Sequence, residues 1–390
     1  MALEDRTLRS WQREAMNLWT ANNRGVVSVV TGGGKTVFAL ACASHFLAKR
    51  PAGRVLVLVP SLALQQQWMS AIAQTLHRVV TPLSGHNDPP TGSFTVAVVN
   101  SMRSRERWSQ FDQGEWMLIA DECHRYGSQV NSQALRGSWL ATVGLSATPY
   151  RQFDSGFQDL VSPVLGPVIY EYSYREALRD GVLSPFELHN VRIPLTAEEE
   201  DEHERLTRRV GRLIAMDAPE EQIRMTLLRR ARYLQKARFR IPATVAVLND
   251  SRSERSIVFH EATAAADEIH RLLQQAGHRT VRYHSKIGVA ERLRSLRMFE
   301  SGQADVLVTC RALDEGYDVP DVTLGLISAS TSSIRQRIQR LGRVLRRAPG
   351  KDQARVVTIY ASDSEAERLR AEAVDMSGLA DTRWFEVQTS

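Results

Sequence analysis

The stretch Val26-Val27-Ser28-Val29-Val30-Thr31-Gly32-Gly33-Gly34-Lys35-Thr36 constrains the fold more than any other. Its mostly apolar, β-branched opening reads as a buried strand, the glycines as a tight loop, and Val37-Phe38-Ala39-Leu40-Ala41 as the start of a helix. That order is a phosphate cradle: glycines let backbone N–H groups turn inward around an anion, and the helix N-terminus adds its dipole. Lys35 is then placed to reach the β- and γ-phosphates, and the Thr36 hydroxyl to hold Mg²⁺. The strict pattern has glycine where this chain has Val29, so the match is to glycine-lysine-threonine with a looser front. A glycine-rich turn that binds nothing is the competing reading, and the lysine-threonine pair at a strand-to-helix junction speaks against it.

Short apolar runs alternate with helical segments downstream: Val55 to Val59, Val96 to Val99, Met117 to Ala120 and Thr142 to Leu145. Alternation of this kind predicts a parallel sheet covered by helices on both faces, with ligands outside the carboxyl ends of the strands. The residues just after each strand are polar and small: Pro60-Ser61, Asn100-Ser101, Asp121-Glu122-Cys123-His124 and Ser146-Ala147-Thr148. Asp121 is placed to share the Mg²⁺ with Thr36, and Glu122 to orient and deprotonate a water for attack on the γ-phosphate. The bland alternative is a solvated strand end. One element ahead of the cradle, Gln12 carries an amide with both donor and acceptor, which suits an adenine edge.

A second alternating set follows at Ser256 to Phe259, Thr280 to Tyr283, Asp305 to Thr309, Thr323 to Ile327 and Arg355 to Tyr360, without a glycine-lysine cradle of its own. At 390 residues the chain suits two domains. The expected boundaries are a first ATP-binding domain over 1–170, a linker over 171–195, a basic helical insertion over 196–250, a second domain over 251–362 and a tail over 363–390.

Charge is concentrated. The net charge is +6, yet Arg205 to Arg240 alone holds eleven Lys/Arg against three acids, which leaves the rest of the chain slightly acidic. Arg229, Arg230 and Arg232 in that segment are candidate nucleic-acid contacts, against a solvated helical face as the alternative. Near the C-terminus Ser332 and Ser333 can cap a helix on which Gln339, Arg343 and Arg346 share one face, placed to stabilise a phosphoryl-transfer transition state.

Hydrophobic content of 43% and charged content of 24% fit a soluble globular protein, and no apolar run is long enough to span a membrane. Glu4 and Asp5 do not fit a signal peptide. The three cysteines, Cys42, Cys123 and Cys310, are far apart and form no metal-binding spacing, so a reducing, cytoplasmic address is expected.

Taken in order, Thr31-Gly-Gly-Gly-Lys-Thr36, Asp121-Glu-Cys-His124, Ser146-Ala-Thr148, Leu313-Asp-Glu-Gly-Tyr-Asp318 and Gln339-Arg-Leu-Gly-Arg-Val-Leu-Arg346 resemble the motifs of superfamily 2 helicases and translocases, in the branch similar to the XPB-type enzymes. The resemblance covers about residues 6 to 362. It implies an α/β protein of two RecA-like parallel-sheet domains in tandem with a helical insertion, binding ATP and Mg²⁺ in a cleft between the domains. It implies that Gln12 recognises adenine and that Thr31, Gly32, Gly33, Gly34, Lys35 and Thr36 bind its phosphates. Gly316 and Asp318 would touch the nucleotide from the second domain, with Arg343 and Arg346 as arginine fingers. Pro60, Ser61, Ser101, His284 and Ser285 look like loops that hold successive phosphates of a strand, and His124 like a bridge between hydrolysis and strand contact.

The expected activity is an ATP-dependent DNA helicase or translocase. An RNA helicase and an ATP-switched nucleic-acid clamp with little turnover remain the alternatives at this point. The chain leaves little room for the N-terminal recognition domains of larger relatives. A bare motor is therefore expected, acting on single- or double-stranded DNA and paired with a protein partner that supplies targeting or nuclease activity.

Overall fold

The computed structural model describes residues 8–83, 92–149, 155–310, 322–329 and 353–387. They belong to two compact units that divide in sequence between Asp180 and Gly181.

The first unit runs α1 (Ser10–Asn22), β1 (Val26–Val29), α2 (Lys35–Lys49), β2 (Arg54–Val59), α3 (Leu62–Leu76), β3 (Val80–Leu83), β4 (Phe94–Val98), α4 (Arg105–Trp108), β5 (Trp116–Asp121), β6 (Ala141–Ser146), α5 (Ser162–Leu165), β7 (Val168–Tyr172) and α6 (Tyr174–Arg179). Its strands pair in parallel in the order β3-β4-β2-β5-β6-β1-β7. Parallel strands covered on both faces read as continuous apolar runs, and β4, β5 and β6 are buried along their whole length. Where β1 lies against β6, a Cβ on Gly144 would come within 2.6 Å of the Val26 side chain, so only glycine fits that approach. Because the strands are parallel, the glycine loop, Pro60, Ser101, Asp121 and Ser146 all fall at one edge of the sheet.

The second unit runs β8 (Phe186–Arg192), α7 (Ala197–Ala215), α8 (Glu220–Leu234), α9 (Arg240–Asp250), β9 (Ser256–Phe259), α10 (Thr263–Gln275), β10 (Thr280–Tyr283), α11 (Val289–Glu300), β11 (Val306–Thr309), β12 (Leu324–Ile327), β13 (Ala354–Tyr360), α12 (Asp363–Asp375) and β14 (Ala380–Glu386). Its sheet order is β10-β11-β9-β12-β13-β8-β14. Counted from each unit's own first strand, that is the order of the first sheet. The two units are repeats of one topology, as expected for tandem RecA-like domains.

Several boundaries differ from the sequence expectation. Residues 171–195 are not only a linker: β7 pairs with β1, and β8 pairs with both β13 and β14. The segment 363–390 is not a loose tail, since α12 and β14 complete the second sheet. The missed strands are those whose patterning is weakest. β3 contains Pro82, β7 and β8 mix acidic and aromatic residues, and β14 carries Asp381, Arg383 and Glu386 at the sheet edge.

The expected insertion over 196–250 also divides. The helices α7 and α8 form an antiparallel hairpin, turned at Met216 to Pro219 with Asp217 at φ +49°. By contrast, Ala237, Ala243 and Leu248 around α9 lie in the hydrophobic core beside Val258, Val308 and Leu326. Arg240 fixes this junction. Its guanidinium is 1% exposed and donates to Leu234 O (2.7 Å), Ser328 O (3.1 Å), Ile359 O (2.7 Å) and both carboxylate oxygens of Glu365 (2.7 and 2.8 Å). Five donors meet five acceptors, which satisfies the buried charge and ties the base of the hairpin to two strand ends and to α12.

Among the described residues, no helix is long and apolar enough to cross a membrane.

Candidate nucleotide site

The glycine loop is held from outside by α1. Gly33 O accepts from Arg9 Nη1 and from Trp11 Nε1, each at 3.1 Å, and Gly34 O accepts from Gln12 Nε2 at 2.9 Å. The peptide bonds are trans, so a carbonyl pulled toward α1 sends the following N–H the opposite way. The amides of Gly34 and Lys35 are thereby aimed away from α1. Gly32 and Gly34 sit at φ +88° and +98°, conformations glycine adopts without strain. The N-terminus of α2 has no side-chain cap, so its amides are available to an anion. Trp11 is fixed in turn by stacking on Tyr172, with ring centroids 5.2 Å apart.

Lys35 Nζ lies 3.4 Å from Val29 O and 3.8 Å from Glu122 Oε1. A strict strand would send Asp121 and Glu122 to opposite faces. Instead Glu122 takes φ 48° and ψ 47°, and a 3₁₀ turn over Cys123–Tyr126 follows. A non-glycine residue in that region costs about 1–3 kcal/mol, and such strain concentrates at functional sites. The turn is secured by the Tyr126 hydroxyl, 3.0 Å from both Leu58 O and Asp121 O.

Asp121 is buried, and both of its oxygens are engaged: Oδ1 accepts from Glu122 N at 2.9 Å and Oδ2 from Trp68 Nε1 at 2.8 Å. Burial first, and the neighbouring Glu122 charge second, push its carboxyl up to about 6, while Lys35 and the two hydrogen bonds pull the other way. Burial likewise pushes the Cys123 thiol up, which makes it an inert core residue.

His124 connects this turn to the end of β6. Its Nδ1 is 3.0 Å from Ser146 Oγ and 3.4 Å from Glu122 Oε2, and Ser146 Oγ accepts from Thr148 N at 3.0 Å. Glu122, His124, Ser146 and Thr148 thus form a continuous row of polar contacts.

The donor set fits a magnesium nucleotide. Loop amides aimed away from α1, an uncapped helix and one lysine match a polyphosphate, and a buried carboxylate one residue from a second carboxylate matches a hard cation bound partly through oxygen. Among the described residues there is no group of three or more His, Cys, Asp or Glu that could hold a metal ion.

The remaining expected residues separate. Ser61 caps α3 by accepting from Leu64 N, and Ser101 lies in the 3₁₀ turn after β4, both on the edge that carries the glycine loop. His284 does not present its side chain as expected: it is 1% exposed, with Nε2 2.9 Å from Asp267 Oδ1, while the adjacent Ser285 is exposed. Arg229 and Arg232 line a groove of ≈ 690 Å³ between α7 and α8 with Arg209, Lys236 and Tyr233. Arg230 turns instead to Thr207 of α7, at 3.3 Å. Gly316, Asp318, Gln339, Arg343 and Arg346 lie outside the described residues. The sequence reading gives no role to Trp68 or Tyr126, nor to Arg9 and Trp11 beside Gln12, whose grip on the glycine loop only the structure shows.

Residues 5–151 match the profile of the type III restriction enzyme res subunit, and residues 240–348 that of the helicase conserved C-terminal domain. The chain is 29% identical over 94% of its length to the DNA 3′-5′ translocase XPB2 of Sulfurisphaera tokodaii, covering 84% of that protein. It is 25% identical over 92% of its length to the DNA 3′-5′ helicase XPB of Mycobacterium tuberculosis, of which it spans 61%. Among solved structures, a DNA-bound ATP-dependent type ISP restriction-modification enzyme, LlaBIII, superposes with a TM-score of 0.68 over 98% of this chain and 31% of that one, at 14% identity. Fold and site together define a tandem RecA-like ATPase of helicase superfamily 2. Within that superfamily the chain belongs to the XPB-like branch.

Proposed function

We propose that this protein is an ATP-dependent DNA helicase or translocase that moves 3′ to 5′, the direction named for its XPB relatives. The observation that carries the reading is the glycine loop itself. Arg9, at the N-cap of α1, and Trp11 and Gln12 within it hold its carbonyls outward, and Lys35 and the strained Glu122 stand beside the amides so exposed.

In this reading the amides of Gly34 and Lys35, with Lys35 Nζ, bind the β- and γ-phosphates of ATP. Thr36 and Asp121 hold Mg²⁺, which when bound neutralises charge on the phosphate oxygens. Glu122 orients the attacking water and takes its proton. His124 and Ser146 carry the resulting change to Thr148. Gln12 keeps one amide hydrogen and one oxygen lone pair beyond its bonds to Gly34 O and Arg9 N, and these serve the adenine edge. The motif residues Gly316, Asp318, Gln339, Arg343 and Arg346 are assigned to the same nucleotide, the arginines to its γ-phosphate.

DNA is held chiefly through phosphates, by the Pro60-Ser61 and Ser101 loops, by the Ser285 loop, and by Arg229 and Arg232 of the hairpin. DNA is preferred to RNA as the substrate on the names of its sequence relatives, a DNA 3′-5′ translocase and a DNA 3′-5′ helicase. A protein partner that provides targeting or cleavage is consistent with the restriction-enzyme likeness, and a cytoplasmic site with three reduced, buried cysteines.

The test is phosphate release with duplex DNA, single-stranded DNA and RNA. DNA should stimulate turnover, RNA should not, and Glu122→Gln should lower it about 10²–10⁴-fold while ATP still binds. Lys35→Ala should abolish both binding and turnover, and Arg343→Ala should lower turnover alone. Near-normal turnover in Glu122→Gln would remove the site assignment.

A further inference from the structure

The hydrogen bond between Trp68 and Asp121 has no part in the chemistry above. Trp68 lies on α3 and is 2% exposed. Its Nε1–H can only donate, and it donates to Asp121 Oδ2 at 2.8 Å. The other oxygen accepts from Glu122 N, so the carboxylate is pinned at both ends and its plane cannot turn. Each oxygen still has a second lone pair, which is what a cation needs.

The indole is itself immobilised. α3 is capped at Ser61, and one turn before Trp68 the buried Gln65 Nε2 donates to Val96 O at 2.7 Å and to Leu83 O at 3.3 Å. The helix is thus tied by one amide to two strands, β3 and β4, and carries the indole as a rigid arm reaching to the end of β5. An isolated apolar tryptophan would need no carboxylate partner, and an isolated buried carboxylate would seek backbone amides or an arginine.

We infer that Trp68 is a positioning residue for Asp121, its indole N–H holding the carboxylate in the orientation that receives the metal of Mg²⁺–ATP. The inference rests on the proposed nucleotide site and extends it to a residue outside the recognised motifs. A group that orients a metal ligand typically contributes 10–100-fold in metal affinity without touching the metal. Because Trp68 sits on the helix that begins at Ser61, the same arm joins a proposed strand-contacting loop to the metal end of the nucleotide.

The experiment is an equilibrium titration of the full chain with a fluorescent ATP analogue, carried out in EDTA and then across a Mg²⁺ series. Trp68→Phe deletes the N–H and retains a ring. It should raise the Mg²⁺ concentration for half-maximal binding roughly 10–100-fold and leave binding in EDTA unchanged. Trp68→Leu is read the same way, so that poor folding of one variant leaves the other. In an Asp121→Ala background, Trp68→Phe should add no further change, because the carboxylate it orients is gone.

An unaltered Mg²⁺ midpoint in both Trp68 variants would overturn the inference. So would an equal loss of binding in EDTA, or an undiminished effect in the Asp121→Ala background, since either outcome marks a purely structural tryptophan. If the unmutated protein bound no nucleotide, or bound it with no response to Mg²⁺, the functional reading would fall and this inference with it. That result is seen in the unmutated chain and cannot be confused with the others.

Discussion

The two units share one strand order and differ most at one topological position. After its first strand, the first unit has the glycine loop and α2, whose N-terminus is uncapped. After β8, the second unit has Ile193-Pro194-Leu195-Thr196 and then α7. Thr196 Oγ1 accepts from Glu199 N and Glu199 Oε2 accepts from Thr196 N, closing a capping box, and Glu198, Glu199 and Glu200 line the first turn. A helix N-terminus that satisfies its own amides and carries three carboxylates repels the phosphate that the other one invites. The hairpin α7–α8 is therefore inserted where the cradle stands in the first unit, and α9 takes the sheet-covering place of α2. The shared topology is used differently at this position: the first unit carries the proposed anion site there, and the second an arginine-rich helical hairpin.

The cations follow the same division. Lys35, proposed to serve a ligand, has its nearest carboxylate 3.8 Å away. Arg240 is held for the fold, with all its donors used internally. Arg240→Ala strands a Glu365 that is 14% exposed and should cost roughly 3–5 kcal/mol, read as a loss in urea midpoint. Lys35→Ala should leave that midpoint nearly unchanged. Equal losses in the two variants would break the contrast between a structural and a functional cation.

The hairpin gives the next largest effect. Arg209, Arg229, Arg232 and Lys236 face one groove and make no ion pair within 4 Å among the described residues. Replacing Arg229 and Arg232 with glutamine should weaken DNA binding and lower the slope of log affinity against log salt by about 1 per residue, with ATP affinity retained. An unchanged slope would return the groove to a solvated helical face.

Acid should separate the units by sign. Asp121 is raised from 3.8 to about 6, so its stabilising contribution is complete below 3.8 and is lost as pH rises through about 6. His260 is lowered from 6.5 to about 4 by burial and then by the Arg240 charge, so its contribution is complete above 6.5 and is lost as pH falls through about 4. In EDTA without nucleotide, Asp121→Asn should melt above the unmutated protein at pH 7.5, and the gap should close toward pH 4. For His260→Gln the unmutated protein should lead at pH 7.5, and its lead should shrink over the same range. Parallel melting curves for either pair would remove the opposition.

The smallest effect sharpens the comparison at its origin. Thr196→Ala should cost about 1 kcal/mol in stability and leave ATP affinity untouched, which calorimetry and a nucleotide titration can check together. A change in ATP affinity would mean that the capped helix still serves the nucleotide.

Much of this was legible in the chain. Buried parallel strands advertise themselves as valine- and isoleucine-rich runs, so β2, β4, β5, β6 and the strands β9 to β13 were placed within a few residues. Glycine-lysine-threonine, Asp121-Glu122-Cys123-His124 and Ser146-Ala147-Thr148 pointed to the proposed site because their chemistry is local and their spacing fixed. Strands with mixed patterning were less legible: β3, β7 and β14 at sheet edges, and β8 beside β14, carry proline or charge that interrupts the apolar run, whereas the edge strand β10 keeps its apolar alternation and was placed.

The amino-acid order by itself determined the class of fold and pointed to the proposed phosphate loop and its carboxylates, because strand–glycine–helix patterning and short motifs act within a few residues. Only the tertiary structure decided that α1 turns the loop carbonyls outward, that Trp68 pins Asp121, that His284 faces inward, and that a capped helix fills the second unit's equivalent of the cradle. Those outcomes depend on groups brought together from distant positions, where a hydrogen bond of about 3 Å is set by the packing of whole helices and leaves no local pattern to read.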